Sequence, residues 1–545
     1  MALRQSPKAK VDAASAAIGA AAAAARAGDG QTALRILLQA AHANPSARAL
    51  YRPLARHLAD MRFSEASPAV KAVVARVLTA PGVDPQPLAP AAISLLKAEY
   101  DLTAAAPDDL HRGLWAEPLL LTLLERALLP DADLEALLTR TRLGLLATPG
   151  RPAALPALLT ALARQALLNG WMWRETAAEL ATLAALRAEL EAAAGFGPAH
   201  LVYGLYRPLT DLAGIAGLAA AARGPWRAAA AALVIEPLEE RRLAARLPSL
   251  GHVPNAATAA VRAQYEAFPY PRWTAVGGGR TPRPIGVVAA ELFPHAHLPD
   301  WPKGRLDVLI AGCGTGKHAA DVAARFQGAS VLAVDLSLTA LGYGARMLKG
   351  TGAVRFAEAD IMALRSLEQR FDHIESVGVL HHLSDPLGGW RVLKSLLRPG
   401  GTMRVGFYCR RGRARVVAAR EALQAAGFHG RDDADLRAAR AHALDAPPGS
   451  DAWLATRELD FYAASGARDF LFHAQEAEYR PAELADMVEA LGLSVIGLEL
   501  TDPGAAALYR GRFPDDKAMA DLRRWDAIET DHPDIFRHMC QFWTM

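Results

Sequence analysis

Cysteine is scarce. Only Cys313, Cys409 and Cys540 stand in 545 residues. They form no CxxC pair and show no metal-ligand spacing, so no cysteine-held metal framework is expected. A disulfide scaffold is equally excluded, and a reducing, cytoplasmic setting fits better. An excess of one charge is also lacking. The 60 basic and 57 acidic residues leave a formal net charge of +3. That balance offers no electrostatic case for a nucleic-acid partner. The densest basic run, Arg410-Arg411-Gly412-Arg413-Ala414-Arg415, reads as a solvated loop or helix start. Long apolar runs are missing too. The hydrophobic fraction of 52% is inflated by alanine, and no stretch of about 20 strongly apolar residues predicts a membrane span. Arg4, Lys8 and Lys10 before Ala13 to Ala25 have the outline of an export signal. Alanine is a poor core for one, and Asp12 stands at its start, so an Ala-rich first helix is expected.

The length exceeds one ordinary core, which predicts at least two domains. Residues 1–250 show leucine and alanine at helical spacing, with no β-alternation, and read as an all-α domain. Proline and glycine punctuate it at Pro45, Pro81, Pro85, Pro107, Pro130 and Gly150. Asp131 and Asp133 precede a leucine-rich run and suit a helix start. The stretch Gly28 to Phe63 has the look of a tetratricopeptide-like helix pair, without a clean second copy. Residues 251–304 are a lid or linker segment carrying Gln264-Tyr265-Glu266-Ala267-Phe268-Pro269-Tyr270-Pro271-Arg272-Trp273. Residues 305–545 alternate strands and helices, which predicts a parallel, doubly wound sheet, with an insertion at about 410–475. Strands are expected at 306–311, 330–334, 353–356, 371–377, 402–408 and 494–500. No seventh strand is evident, and the chain beyond about 502 reads as helical.

Chemistry concentrates after the first strand, in Ala311-Gly312-Cys313-Gly314-Thr315-Gly316. A strand must turn here into a helix with its backbone against a ligand, and glycine permits both the φ and the close approach. The helix from Lys317 presents free N–H groups. A nicotinamide loop has the spacing G-x-G-x-x-G/A, whereas here the third glycine comes one residue early and position 317 is lysine. Asp335 ends the second strand, where a carboxylate accepts both ribose hydroxyls of a nucleoside. Its alternative, helix capping, is better served by Ser337. Asp360 follows the third strand and suits an adenine amine, with Leu336 and Ile361 sandwiching the ring. The competing role for Asp360 is a capping residue in a loop. Val377 ends the fourth strand at the switch-point crevice, beside His381 and His382.

This ordered set resembles the class I S-adenosylmethionine (SAM) dependent methyltransferases. The motifs are VLIAGCGTG, VLAVDLS, Ala359-Asp360, FDHIESVGVLHHL and LLRPGG, and the broad group includes ubiquinone-biosynthesis enzymes. The QYEAFPYPRW segment, His473-Ala474-Gln475-Glu476 and Gln541-Phe542-Trp543 look like those of bacterial methyltransferases fused to tetratricopeptide-like regions. The resemblance implies SAM bound by Ala311, Gly312, Cys313, Gly314, Gly316, Asp335, Leu336, Asp360, Ile361 and Val377. No metal is implied.

Methyl transfer needs an aligned nucleophile, excluded water and, for an amine or hydroxyl, a proton acceptor. Tyr265, His381 and His473 are the catalytic candidates. Tyr270, Arg272, Trp273, His382 and Glu476 are the candidates for the substrate wall. Packing of the lid segment against the core is the competing role for the aromatic residues. The large helical half favours a protein or peptide acceptor. A small-molecule acceptor, with the helical half closing the cleft or forming a homodimer, is the alternative. A non-catalytic SAM-binding regulator and a nicotinamide oxidoreductase complete the set.

Overall fold

The computed structural model describes residues 7–103, 112–148, 155–253, 256–267, 269–278, 281–502 and 504–545. Arg4, Pro107, Gly150, Pro254 and Phe268 lie outside them. The chain forms two compact units. The first runs to Pro237 and includes Trp273–Gly278 and Thr456–Ala464. The second comprises Leu238–Arg272, Gly279–Ala455 and Ser465–Met545. The break after Pro237 comes earlier than residue 250, where the sequence predicts the all-α domain to end.

The first unit is helical. Helix Pro7–Arg26 covers the Ala-rich start, and among the described residues no helix is long and apolar enough to cross a membrane. Helices Gly30–Ala43 and Tyr51–Ala59 occupy the expected helix pair. Asp131 caps helix Ala132–Ala147 by accepting from Leu134 N at 3.0 Å. Leu119, Leu120, Leu123 and Leu124 of helix Pro118–Arg126 are fully buried. Their three- and four-residue spacing puts them on one stripe, and full burial of each leucine contributes roughly 1.5–3 kcal/mol. In one buried polar cluster among the described residues of this unit, Tyr206 and Arg142 both reach Glu179 Oε1, at 2.7 and 3.2 Å.

The second unit is built on a seven-stranded sheet of order β3-β2-β1-β4-β5-β7-β6. Its strands are β1 Leu306–Ala311, β2 Ala329–Asp335, β3 Val354–Glu358, β4 Phe371–Val377, β5 Leu397–Phe407, β6 Val495–Leu498 and β7 Cys540–Thr544. The first five pair in parallel. β1 is buried at every residue, as a parallel strand covered on both faces requires. Side chains alternate between two cores. Leu309 and Ala311 join Trp390, Phe407 and Phe542 on one face. Val308 and Ile310 join Phe326 and Trp543 on the other.

The structure places the seventh strand and corrects one expectation: the segment beyond 502 is not wholly helical, since after helices Ala505–Arg512 and Leu522–Asp531 the chain returns as β7. β7 lies between β5 and β6, antiparallel to both. Five residues give too short a pattern to read, and the strand is defined by the two partners it bridges. β5 also starts earlier than expected, at Leu397, because Leu397 pairs with Phe371 before a register shift. The insertion after β5 is helical, with Ala414–Ala425, Asp433–Asp445 and Ala464–Phe472. Its basic run is neutralised: Arg410 pairs with Glu483, Arg411 with Asp526 and Glu529, Arg413 with Glu476, and Arg415 with Asp534.

Candidate cofactor and acceptor site

A cavity of about 600 Å³ opens at the carboxyl ends of β1, β2 and β4. That volume lies within the roughly 300–1,000 Å³ usual for small-molecule sites. Its floor is the glycine loop. Gly312, Gly314 and Gly316 have φ of +77°, +51° and +79°, the left-handed region that disfavours side chains. A Cβ on Gly314 would stand 2.5 Å from the Tyr270 carbonyl oxygen, and one on Gly312 would fall inside the Val379 side chain. The loop is tied down by Gly312 N and Cys313 N donating to Val334 O at 2.9 and 3.0 Å. Gly316 is the N-cap of helix Lys317–Arg325, whose first turn faces the cavity through Lys317 and His318.

Asp335 borders this loop. Its Oδ2 accepts from Gly314 N at 2.8 Å and its Oδ1 from Ser337 N at 3.0 Å. A carboxylate has about four acceptor positions, so these bonds leave it able to accept from a ligand as well. Burial raises its pKa, against the lowering effect of those backbone bonds. Ser337 does the capping, accepting from Ala340 N at 3.1 Å, so Asp335 is not needed as the cap. Asp360 is a cap at the cavity's edge. It caps the short turn Ile361–Ser366, accepting from Met362 N at 2.8 Å, and also lines the cavity with Leu336 and Ile361.

Helix Ala256–Ala267 carries Tyr265 and Glu266. Glu266 accepts from Leu338 N at 2.7 Å and Thr339 N at 3.1 Å, capping helix Leu338–Met347 from outside. This anchors the helix and sends Tyr265 into the cavity wall. There Tyr265 OH donates to Asp469 Oδ1 at 2.5 Å and lies 3.1 Å from His473 Nε2. Burial, then Asp469, pushes the Tyr265 phenol well above its usual pKa, so it keeps its proton. His382 stacks on His473 with ring centroids 3.7 Å apart. His382, Asp469 and His473 each place one ligand-type atom within 4.8 Å of the others.

Of the residues singled out from sequence, Tyr265, Tyr270, Gly312, Cys313, Gly314, Asp335, Leu336, Asp360, Ile361, Val377 and His382 line the cavity. Ala311 and Gly316 support it from behind: Ala311 O accepts from Ser376, and Gly316 packs on the Phe356 ring. His473 reaches it through Tyr265. Four others are not brought to the wall. His381 is fully buried, and neither of its ring nitrogens has a hydrogen-bond partner among the described residues. Burial, then the neighbouring His382, holds its pKa well below the usual value. Glu476 is taken by Arg413 and Arg420. Arg272 lies over the Tyr343 ring at 5.5 Å. Trp273 is buried and falls in the first unit.

Sequence reasoning missed Asp469, Tyr408, His318, Arg404 and Gln541, all on the wall. Asp469 lies on helix Ala464–Phe472 and His473 just after its end, four residues on, a spacing legible in the chain. Arg404 is legible only in three dimensions. Glu375, fully buried on β4, receives Arg404 Nη1 at 2.8 Å and His318 Nε2 at 2.6 Å. Burial pushes the Glu375 carboxyl up, but Arg404 and His318 together outweigh it and hold its pKa well below the ordinary value.

The glycine cradle, the buried carboxylate with spare acceptor positions and the apolar walls of Leu336 and Ile361 fit SAM. Residues 308–401 match the family model described as a methyltransferase domain. The second unit therefore carries a SAM-dependent methyltransferase domain with a Rossmann-like sheet, and its cofactor is SAM. The chain is 29% identical over 304 residues to an uncharacterised protein of Synechococcus sp., covering 52% of this chain and 71% of that one. It is 36% identical over 104 residues to an uncharacterised methyltransferase of Mycobacterium bovis, covering 19% of this chain. It spans about half, 51%, of that relative's length. Among solved structures it is similar to PKMT2 from Rickettsia typhi, at 18% identity and a TM-score of 0.36, covering 47% of this chain and 51% of that one.

Proposed function

We propose that this protein transfers a methyl group from SAM to a nucleophile on a protein or peptide. When bound, SAM supplies an electrophilic methyl on a sulfonium, which a nucleophile takes by in-line displacement. The residues then divide the work. Gly312 and Gly314 lie against the methionine part, Asp335 holds the ribose, and Asp360 with Leu336 and Ile361 holds the adenine. Tyr265 and the helix that carries it shut out water and orient what lies above the cofactor. The observation that carries methyl transfer is the pairing of a glycine cradle with a buried hydrogen-bonding cluster on the opposite wall of one cavity.

The macromolecular acceptor is supported by the extent of the helical unit, since stacked helix hairpins present broad recognition surfaces. That support comes from architecture, not from the site's chemistry. Radiolabelled SAM incubated with the protein and a lysate of the source cell tests it. Label is expected in the macromolecular fraction. Label confined to small molecules would overturn the protein or peptide reading and leave a metabolite as the acceptor.

A further inference from the structure

The cluster opposite the glycine loop has a hydrogen-bond polarity set by the backbone. Gln475 N donates to His473 Nδ1 at 2.9 Å, so that nitrogen carries the lone pair. Burial, then His382, lowers the His473 pKa to about 3, and the ring is neutral at pH 7. Its one proton is therefore on Nε2, which donates toward the Tyr265 oxygen at 3.1 Å. Tyr265 in turn donates its own proton to Asp469 Oδ1. The Gln475 carbonyl accepts from His382 Nδ1 at 2.8 Å, which leaves the His382 lone pair on Nε2. Gln475 thus sets both tautomers, in opposite senses.

Asp469 is buried, 6% exposed, and lines the cavity. Its Oδ2 has no hydrogen-bond partner among the described residues, and no lysine or arginine there forms an ion pair with it. The nearby guanidinium groups of Arg413 and Arg420 are both taken by Glu476, at 3.0 and 2.8 Å. A buried carboxylate in this position favours a cation and repels an anionic ligand.

We propose that Asp469, Tyr265, His473 and His382 form the binding site for an amine, so that the acceptor atom is nitrogen. This rests on the methyltransferase reading above. The amine arrives as an ammonium, which Asp469 Oδ2 holds by a charge-assisted hydrogen bond. One proton passes from nitrogen to His382 Nε2, giving an imidazolium and a free lone pair on nitrogen. That lone pair forms the new N–C bond while the C–S electron pair stays on sulfur, leaving a neutral thioether and a methylated ammonium. A divalent metal held by three of these side chains, His382, Asp469 and His473, fits less well. A ligating histidine normally donates its other ring N–H to an acceptor. His382 does so, but His473 Nδ1 accepts a backbone N–H instead, and its proton occupies the nitrogen a metal would need.

Calorimetry separates the possibilities. S-adenosylhomocysteine is titrated first, and failure to bind would sink the methyltransferase reading itself. With that ligand saturating, n-butylammonium chloride and n-butanol are compared at pH 7.5. The ammonium is expected to bind at least about tenfold more tightly than the alcohol. Asp469→Asn, nearly isosteric, is expected to remove that preference while S-adenosylhomocysteine affinity stays within about twofold. Equal binding of ammonium and alcohol to the unaltered protein would overturn the amine assignment, as would a preference that survives Asp469→Asn. Stoichiometric binding of zinc or manganese chloride that His473→Ala abolishes would overturn it in favour of a metal site.

Discussion

Replacing Asp335 by asparagine probes the cofactor site most directly. The carboxylate accepts from Gly314 N at 2.8 Å and Ser337 N at 3.0 Å with different oxygens. Asparagine offers one oxygen, so its amide N–H₂ must face one of those donors. Leaving one buried N–H without an acceptor costs about 1–3 kcal/mol. Part of that is offset, because Asp335 is itself a buried charge whose pKa burial raises. The change in stability is therefore small, at most about 2 kcal/mol. Binding suffers more. Two hydroxyls of the ribose exchange charge-assisted bonds for neutral ones, each worth roughly 1–1.5 kcal/mol less. The sum, about 2–3 kcal/mol, weakens S-adenosylhomocysteine binding roughly 30- to 150-fold. Isothermal calorimetry at pH 7.5 reads this, with near-ultraviolet circular dichroism confirming that the variant is folded. A folded variant whose affinity changes less than about threefold would refute the ribose role of Asp335.

Two further outcomes follow from the same geometry. Gly314→Ala places a Cβ 2.5 Å from the Tyr270 carbonyl oxygen at a φ of +51°. The left-handed backbone and the clash together should destabilise the protein by about 2–4 kcal/mol in urea titration; a loss below about 1 kcal/mol would show that the loop relaxes freely. Glu375→Gln removes the buried carboxylate that Arg404 and His318 share, and breaking such a pair should cost about 3–5 kcal/mol. The sign in pH follows from the lowered pKa of Glu375. Its contribution is present above the unfolded value of about 4.3 and is lost as pH falls through the lower folded value. The unaltered protein should therefore lose stability over that acid range more steeply than Glu375→Gln, as thermal melts at successive pH values would show. Parallel curves would refute this.

The strands from β1 to β4 were legible because each is a continuous or alternating apolar run ended by a turn residue, and their burial depends little on distant choices. The loop Gly312 to Gly316, Asp335 at the end of β2 and Ser337 as a cap follow from chemistry within a few residues. Trp273 shows the limit. It adjoins Arg272 in the chain, yet the two fall in different units, and no local property of the Pro-Arg-Trp sequence marks the division. His381 and His382 show it again. They are adjacent and chemically identical, and both are buried, yet only His382 meets the cavity, while His381 packs against Tyr408 at 4.1 Å.

By itself the sequence determined the local chemistry: where a strand must yield to glycine, which carboxylate ends a strand, and which hydroxyl caps a helix. These depend on neighbours within a turn or two. Tertiary structure alone decided that Cys540–Thr544 enters the sheet between β5 and β6. It also decided that Tyr265 meets Asp469 across 204 residues of chain. Such pairings are chosen by burial and hydrogen-bond satisfaction among segments that only the completed fold brings within reach.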